Sequence, residues 1–287
     1  MRIIFCFLLI VTLVQGAEGN RLRLDKPSIP PPEQETLQLL GQICPNDVRP
    51  SQTLHGFLTC AACPDFVASS LPTDWTLTAI YHGHFTAPDA DEAAVAVYGC
   101  EPHSENWGGA VLFRRSEGGF NLQWYEPGLI INDCLSAHAS TGRDLLVCEY
   151  IDGHQSVLTQ TLSSIDVSRG AGEREDLLLA LTDNVNACGQ DFGSSEDQRI
   201  YPLQKAGLLN VRIDARNRLV ARVEYGLRQI SGAESNKCLD VLQHAVRPSV
   251  EPATRVYTIA FKLDQVTWGI MPNSRSTKKL VENNPYR

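Results

Sequence analysis

The clearest structural signal in the chain is residues 109–125, which read GAVLFRRSEGGFNLQWY. Residues 109–115 and 120–125 are rich in β-branched, aromatic and alternating side chains, as is typical of strands. Between them, residues 116–119 read SEGG, and adjacent glycines suit the backbone angles of a tight hairpin turn. The segment therefore predicts two antiparallel strands joined by a short turn.

The same pattern recurs along most of the chain and predicts a mainly β protein. With 43% hydrophobic and 20% charged residues in 287, the composition excludes a collagen, a coiled coil and a wholly disordered chain. We expect an antiparallel β domain over residues 73–272 and a polar tail over residues 273–287. The other predicted strands are residues 76–85, 93–101, 129–136, 144–151, 156–167, 176–182, 208–213, 219–227, 256–263 and 266–270.

Two helices are predicted outside this strand pattern. Residues 33–43 follow a run of prolines, carry acidic residues in the first turn and repeat apolar residues at helical spacing. Residues 236–246 have Ser235 as N-cap and Pro248 beyond their end. We expect residues 17–72 to form a proline-rich leader, the first helix and an irregular segment that contains cysteines.

The N-terminus indicates an exported protein. Residues 3–14 are apolar except for Thr12 and lead to small residues at Gly16 and Ala17, as in a secretory signal peptide. We expect cleavage near Gly16, which makes residues 1–16 the signal peptide and the mature protein secreted or periplasmic. A retained N-terminal anchor is the alternative, and no later stretch is long enough to span a membrane.

The cysteines agree with export. Loss of Cys6 with the signal leaves eight, an even number that indicates up to four disulfides in an oxidising compartment. Cys134 and Cys148 lie on successive predicted strands and are expected to pair, as are the two C-terminal cysteines, Cys188 and Cys238. The remaining four are Cys44, Cys60, Cys63 and Cys100.

These four cysteines predict a covalent link between the N-terminal segment and the β domain. Cys44 is expected to reach Cys60 or Cys63, because it ends the first helix shortly before them. Cys100 is then left to pair backwards with one of these three residues. The N-terminal segment should therefore be held to the sheet by at least one disulfide.

A polar turn followed by a short apolar strand occurs three times, with a looser fourth copy. The copies contain Asp91, Arg143, Glu175 and Asn217, which are 52, 32 and 42 residues apart, close on average to one four-stranded propeller blade. The pattern resembles the repeat of FG-GAP-type propellers, and residues 89–91, Asp-Ala-Asp, resemble a remnant of that family's calcium-binding run. The resemblance implies a propeller-like architecture, with an ordinary succession of turns and strands as the alternative.

His82 and His84 are the candidates for a metal site. They lie two residues apart on a predicted strand, so their side chains share one face, and His103, His138 or Asp89 is a candidate third ligand. Imidazole and carboxylate groups are ordinary zinc ligands. We expect two surface histidines on a half-buried strand, with a zinc site as the alternative.

Two shorter motifs each have a structural and a functional interpretation. Cys60 and Cys63 have the spacing of thiol–disulfide exchange motifs, but no buried strand precedes them, so structural disulfides are expected. Asp89, Asp91 and Glu92 form an acidic turn that is expected to be solvated, with calcium binding as the alternative.

Aromatic residues surround the predicted hairpin. Trp107, Trp124 and Tyr125 are expected to lie in the sheet core; if they are exposed, they are suited to stacking on a sugar or a peptide.

The net charge and the missing motifs narrow the function. A formal charge of −8 and a pI of about 5.4 make nucleic acids and anionic membranes poor partners. The sequence contains no G-x-S-x-G and no H-E-x-x-H motif. We therefore expect an exported, non-catalytic binding or structural β-domain protein without a cofactor, which contacts a protein or carbohydrate ligand. An exported metal-assisted hydrolase that uses His82 and His84 is the alternative.

Overall fold

The computed structural model describes residues 22, 29–67, 74–100, 108–154, 156–187, 200–231, 234 and 251–271. Strands account for 58% of these residues and helix for 6%. The elements are α1 (Glu33–Gly41), β1 (Val48–Pro50), β2 (Leu58–Cys60), β3 (Trp75–Gly83), β4 (Glu92–Tyr98), β5 (Gly109–Ser116), β6 (Gly119–Pro127), β7 (Asp133–His138), β8 (Asp144–His154), β9 (Val157–Ile165), β10 (Glu175–Asp183), a 3₁₀ turn (Val185–Ala187), β11 (Ile200–Ile213), β12 (Arg218–Ser231), β13 (Arg255–Asp264) and β14 (Thr267–Ile270).

The strands form three antiparallel sheets, which we call the N-terminal sheet (β1–β6), the middle sheet (β7–β10) and the C-terminal sheet (β11–β14). In each sheet every strand pairs with its neighbour in sequence, so each sheet is a meander. The three sheets do not close into a ring in the described part of the chain. The mainly β, antiparallel fold is therefore confirmed, whereas the propeller is not.

The sheets are stacked, with α1 against the outer face of the N-terminal sheet. On that face, Leu39 and Leu40 of α1 share a core with Val95 and Val111. The opposite face of the N-terminal sheet packs on the middle sheet through a second core, in which Leu112 meets residues that include Leu146 and Ile165. Because both faces of β4 and β5 are covered, β4 is buried at its first six positions and β5 at its first five.

The C-terminal sheet covers the other face of the middle sheet. Leu135, Val147 and Leu162 of the middle sheet share a third core with residues of the C-terminal sheet that include Leu219 and Phe261. Alternate residues of one strand thus serve different cores: Leu146 lies in the second core and Val147 in the third. This alternation is the period of two that β-strands impose on side chains.

Three disulfides join Cys44 to Cys60, Cys63 to Cys100 and Cys134 to Cys148. Cys134 and Cys148 are direct partners in the register of β7 and β8, which confirms that prediction. The Cys63–Cys100 bridge confirms that Cys100 pairs backwards and that the N-terminal segment is held to the sheet. Three disulfides are consistent with an extracellular location. Cys188 and Cys238 lie outside the described residues.

The structure differs from the sequence prediction in the segment expected to be irregular. Val48–Pro50 and Leu58–Cys60 form two short strands that pair with each other and extend the N-terminal sheet beyond β3. Strands of three residues are too short to show an alternating pattern, and β2 is held in place by the disulfide from Cys60 to the end of α1. The N-terminal sheet therefore contains strands from both sides of the predicted domain boundary.

The other predicted elements agree in position, with one further difference. The predicted first helix is α1, and the predicted turn at residues 116–119 connects the paired strands β5 and β6. β11 begins at Ile200, eight residues before its predicted start. The signal peptide (1–16), the second helix (236–246) and the tail (273–287) lie outside the described residues. No helix among the described residues is long and apolar enough to cross a membrane.

Candidate functional site

His82 and His84 have different partners in the structure. His82 lies in β3 and its Nε2 is 3.1 Å from a carboxylate oxygen of Glu35 on α1. His84 follows the end of β3, and its Nδ1 is 2.7 Å from the carbonyl oxygen of Ala90. Both side chains are exposed, as expected of surface histidines. Within the described residues, no group of three or more His, Cys, Asp or Glu side chains is arranged to hold a metal ion.

The suggested third ligands are also placed by the structure. His138 contacts the Asp144 carboxylate at 2.9 Å, and the other oxygen of that carboxylate accepts a hydrogen bond from the backbone amide of His84. Asp144 therefore connects the end of β3 in the N-terminal sheet with the middle sheet. Asp89 is exposed, and His103 lies outside the described residues.

The acidic turn proposed for calcium is neutralised by arginines of β5. Asp91 lies 3.2 Å from Nε of Arg115. The side chain of Glu92 is fully buried and accepts hydrogen bonds from Arg114 at 2.8 and 3.1 Å and from the Thr86 hydroxyl at 2.6 Å. A buried carboxylate needs such partners, so this group stabilises the junction of β4 and β5.

Arg115 is the centre of a cluster to which five parts of the fold contribute. Its guanidinium lies 3.2 Å from Asp91 and 3.9 Å from Glu35, and its carbon Cζ is 4.5 Å from the centre of the Phe120 ring. Glu35 is shared with His82, so α1 is connected by polar contacts to β3 and β5 at once. We call these five residues the Arg115 cluster.

A surface pocket lies beside the Arg115 cluster, between α1 and the β5–β6 hairpin. Its volume is about 420 Å³, within the usual range for small-molecule sites. It is lined by Gln38, Gln42, Arg115, Ser116, Glu117, Gly118, Gly119 and Phe120. The lining combines two amides, a guanidinium, a hydroxyl, a carboxylate and one aromatic ring.

Local sequence explains how the two walls of this pocket form. Gln38 and Gln42 are four residues apart at the end of α1, so they project from one side of it. The opposite wall is the hairpin turn, where Gly119 has a φ of +114°, a value that residues with a Cβ rarely adopt. A Cβ at Gly118 would meet no atom within 4 Å, so the turn is open toward solvent.

The pocket has the chemistry of hydrogen bonding rather than of nucleophilic catalysis. The Ser116 hydroxyl donates to the carbonyl of Gly119 and accepts from the Asn121 side chain at 2.7 Å. A serine nucleophile needs a base within hydrogen-bond reach, and neither of these two partners is one. What the lining offers is a set of hydrogen-bond donors and acceptors beside the buried ring of Phe120.

Trp124 and Tyr125, which are expected in the sheet core, are both half-buried side chains that pack against the cores of the N-terminal sheet. Trp124 lies under the guanidinium of Arg174, whose Cζ is 4.1 Å from the ring centre. The Tyr125 ring is 6.3 Å from that of Trp75, which is fully buried. Trp107 lies outside the described residues.

Cys60 and Cys63 are bonded to different partners, Cys44 and Cys100. Both cysteines of the motif thus hold the chain together, in agreement with the structural interpretation.

Sequence reasoning missed the α1 wall of the pocket. The available signal was Glu35, Gln38 and Gln42, whose spacing of three and four residues places them on one helix face. That spacing is also typical of an ordinary solvated face, so only the facing hairpin makes these residues a site. Comparisons of this chain with protein-family models, with curated proteins and with solved structures found no match.

Proposed function

We propose that this protein is exported and acts without catalysis, binding a neutral saccharide in the pocket between α1 and the β5–β6 hairpin. The observation that carries the proposal is the convergence of two glutamine amides, a guanidinium and a hydroxyl on one open pocket of about 420 Å³. The three disulfides support the exported location. The propeller-like interpretation belongs to the same proposal and is supported by the meander order of each sheet.

The donor and acceptor pattern favours a ligand rich in hydroxyl groups. A hydroxyl both donates and accepts, and so does a glutamine side chain, whose carbonyl accepts while its NH₂ donates twice. Gln38 and Gln42 are therefore able to hold neighbouring hydroxyls of one sugar ring. The exposed turn at Gly118 leaves room for the rest of an oligosaccharide.

The charges beside the pocket favour a neutral ligand over an anion. Arg115 is the one cation of the lining, and Asp91 and Glu35 already lie within 4 Å of it. Glu117 adds a further negative charge to the lining. An acidic ligand would therefore meet more negative than positive charge at this place.

The pocket is also rigid before a ligand binds. Cys44 follows α1 by three residues and is bonded to Cys60, which holds the glutamine end of the helix on the sheet. On the other side, Ser116 pairs in register with Gly119, which closes the β5–β6 turn. Because the walls of the pocket are already ordered, the protein loses less conformational entropy when a ligand binds.

An oligosaccharide array probed with the purified protein, followed by calorimetric titration of the best-bound compound, tests the proposal. The double variant Gln38→Ala, Gln42→Ala should weaken binding about tenfold or more, because each neutral hydrogen bond contributes about 0.5–1.5 kcal/mol. The matched control is Gln123→Ala, Gln229→Ala, since both glutamines are exposed and lie outside the pocket. Binding to no neutral oligosaccharide, or equal binding by both double variants, would contradict the proposal.

Metal analysis addresses the alternative function as a hydrolase. His82 and His84 have separate partners, Glu35 and the carbonyl of Ala90, and among the described residues neither belongs to a group of three or more side chains arranged to hold a metal. We therefore expect the purified protein and its His82→Ala, His84→Ala variant to contain the same amount of zinc. One equivalent of zinc that disappears in the variant would support the hydrolase instead.

A further inference from the structure

Positive charge is concentrated in the C-terminal sheet of this acidic protein. Residues 200–231 and 255–270, which comprise β11–β14 and their tight turns, contain eight Lys and Arg but three Asp and Glu. The whole chain has a formal charge of −8, so the remainder of the chain carries −13. The net charge of the whole chain does not show this uneven distribution of positive and negative residues.

The cations of this sheet lie on the face that is turned away from the middle sheet. Along β12, Leu219, Ala221 and Val223 belong to the buried core, so the residues that alternate with them face outward. Arg222 is one of these outward residues. Arg222 pairs in register with Thr258 of β13. Val220 lies two residues before Arg222 on β12, and it pairs with Arg212 of β11 on one side and with Ala260 of β13 on the other.

Three exposed cations thus surround a small area of this face: Arg212 on β11, Arg222 on β12 and Lys262 on β13. Arg212 and Arg222 are diagonal neighbours, for which strand spacing and rise give a Cα separation of about 8 Å. Lys262 pairs with Arg218, whose own charge is balanced by Asp214 at 2.6 Å. We call the three exposed cations the basic face.

The members of the basic face make no ion pair or side-chain hydrogen bond within the described residues. Most other arginines of the described residues pair with acids, as in Arg49–Asp74 and Arg114–Glu92, although Arg216 and Arg255 do not. Like charges on neighbouring strands destabilise a sheet. The basic face therefore contributes nothing evident to folding, which makes a binding role the better explanation.

We propose that the basic face binds an anionic polysaccharide, with its sulfate or carboxylate groups on Arg212, Arg222 and Lys262. Guanidinium groups bind such oxyanions through two parallel hydrogen bonds, and a lysine adds a point charge. The strongly negative remainder of the chain repels a polyanion everywhere else, so it directs the ligand to this face. This inference goes beyond the neutral saccharide pocket, which lies on the opposite end of the stack beside α1.

The residues between the cations favour a polysaccharide over other anions. Val220, Thr258 and Ala260 lie there, and none of these is aromatic, whereas proteins that bind single-stranded nucleic acids stack bases on aromatic side chains. Val220 and Ala260 are 8% and 6% exposed, so they offer no protruding apolar anchor for a protein partner or a membrane. A positively charged surface without an aromatic or protruding apolar anchor suits a hydrated chain of charged sugars.

The experiment uses a heparin-derived hexasaccharide as the probe and measures its dissociation constant at low and at physiological ionic strength. The triple variant Arg212→Gln, Arg222→Gln, Lys262→Gln should bind it about tenfold or more weakly, since each exposed ionic contact contributes up to about 1 kcal/mol. The affinity of the natural protein should fall as salt is raised. The melting temperature of each variant serves as the check on folding.

The matched control removes three positive charges outside the basic face, Arg49→Gln, Arg169→Gln and Arg228→Gln; Arg228 is on β12, but it lies six residues and about 20 Å from Arg222. It should bind the hexasaccharide within about twofold of the natural protein, because charges beyond a Debye length are screened. Equal weakening by the two triple variants would overturn the proposal, since net charge alone would then explain binding. Failure of the natural protein to bind at low salt would overturn it too.

Two further outcomes identify other occupants and would also overturn the proposal. Single-stranded DNA of the same charge that binds as tightly as the hexasaccharide would indicate a general polyanion site. A salt-sensitive dimer in sedimentation velocity that is lost in the basic-face variant would indicate that a second, acidic copy of the chain covers this face. Binding of a neutral oligosaccharide in the pocket should be unchanged by the basic-face variant, which separates this test from that of the proposed function.

Discussion

The N-terminal sheet and the C-terminal sheet are both antiparallel meanders, but one is covered on two faces and the other on one. β4 of the N-terminal sheet reads EAAVAVY and is buried at its first six positions. Along β12 of the C-terminal sheet, Arg222 is exposed between the buried residues Ala221 and Val223. A strand between two cores needs apolar residues at every position, whereas a strand with one core needs them at alternate positions. The hydrophobic pattern of a strand therefore depends on how many of its faces are covered in the stack.

The two sheets also differ in how they are held and in charge. Two disulfides, Cys44–Cys60 and Cys63–Cys100, join parts of the N-terminal sheet and the segments around it. The strands of the C-terminal sheet contain no cysteine and carry an excess of Arg and Lys. The N-terminal sheet is thus built around buried packing and covalent links, and the C-terminal sheet offers an open, charged face.

The largest expected effect comes from core truncation in the sheet that is covered twice. Leu112→Ala in β5 should lower the free energy of unfolding by about 3–5 kcal/mol, because Leu112 is fully buried in the second core and leaves a cavity. Leu227→Ala in β12 should change it by about 0.5 kcal/mol or less, because that leucine is 45% exposed. Urea denaturation of the two variants measures both values, and equal losses would refute the comparison of the two sheets.

Removal of a disulfide should cause the next largest loss in the free energy of unfolding. The loss should increase with the number of residues between the two bonded cysteines. Cys63 and Cys100 are 37 residues apart, and Cys134 and Cys148 are 14 apart. In the chain-entropy model the first bridge contributes about 4 kcal/mol and the second about 3 kcal/mol. Denaturation of the paired Cys→Ser variants tests this order. A larger loss for the Cys134–Cys148 variant would show that local packing, rather than loop length, dominates.

A smaller effect is expected from the hydrogen bonds that join the N-terminal sheet to the middle sheet. The Tyr81 hydroxyl donates to the carbonyl of Asn132 at 2.6 Å and accepts from the amide of Cys134 at 3.0 Å. Burial raises the pKa of Tyr81, so the hydroxyl stays protonated. Tyr81→Phe should lose about 1–3 kcal/mol of stability, because both partners lose their bond. Tyr98→Phe is the control, since Tyr98 is exposed, and it should be neutral.

The smallest expected effect is the pH dependence of the β11–β12 hairpin. Burial acts to raise the pKa of Asp214, but hydrogen bonds from the Arg218 side chain and from the amides of Arg218 and Arg216 outweigh it and lower the pKa to about 2. The contribution of this carboxylate to stability is therefore complete above the unfolded pKa of about 4 and is lost as pH falls toward 2.

The substitution Asp214→Asn should remove this pH dependence of stability. The variant should be less stable than the natural protein by about 1 kcal/mol at pH 6, and the gap should close between about pH 4 and pH 2. Thermal melts across this range measure the gap. A constant gap would mean that the shape of the turn, rather than the charge of Asp214, stabilises the hairpin.

Sequence reasoning located the helix α1, most of the strands and the Cys134–Cys148 bridge, because each depends on local patterns. It left open which of Cys60 and Cys63 bonds to Cys44, because that depends on how the chain turns back after α1. It also left residues 48–60 as irregular, although they form β1 and β2. Short edge strands are defined by the strand they pair with, and that partner, β3, is distant in sequence.

The candidate site shows the same limit. The strand pattern of residues 76–85 correctly placed His82 on a strand, but β3 ends at Gly83, before His84. The partner of His82, Glu35, is on a helix 47 residues earlier. The wall formed by Gln38 and Gln42 becomes a pocket only because the β5–β6 hairpin faces it. No local sequence pattern indicates which distant segments of the chain will lie next to each other.

The sequence by itself determined the fold class, the turns and the position of α1, since backbone propensity and side-chain period act over a few residues. Tertiary structure alone decided that the three meanders stack, that β4 and β5 become the middle of that stack, and that Arg212, Arg222 and Lys262 share one exposed face. Stacking depends on which apolar faces find each other, and register depends on hydrogen bonds between strands that are separate in the chain.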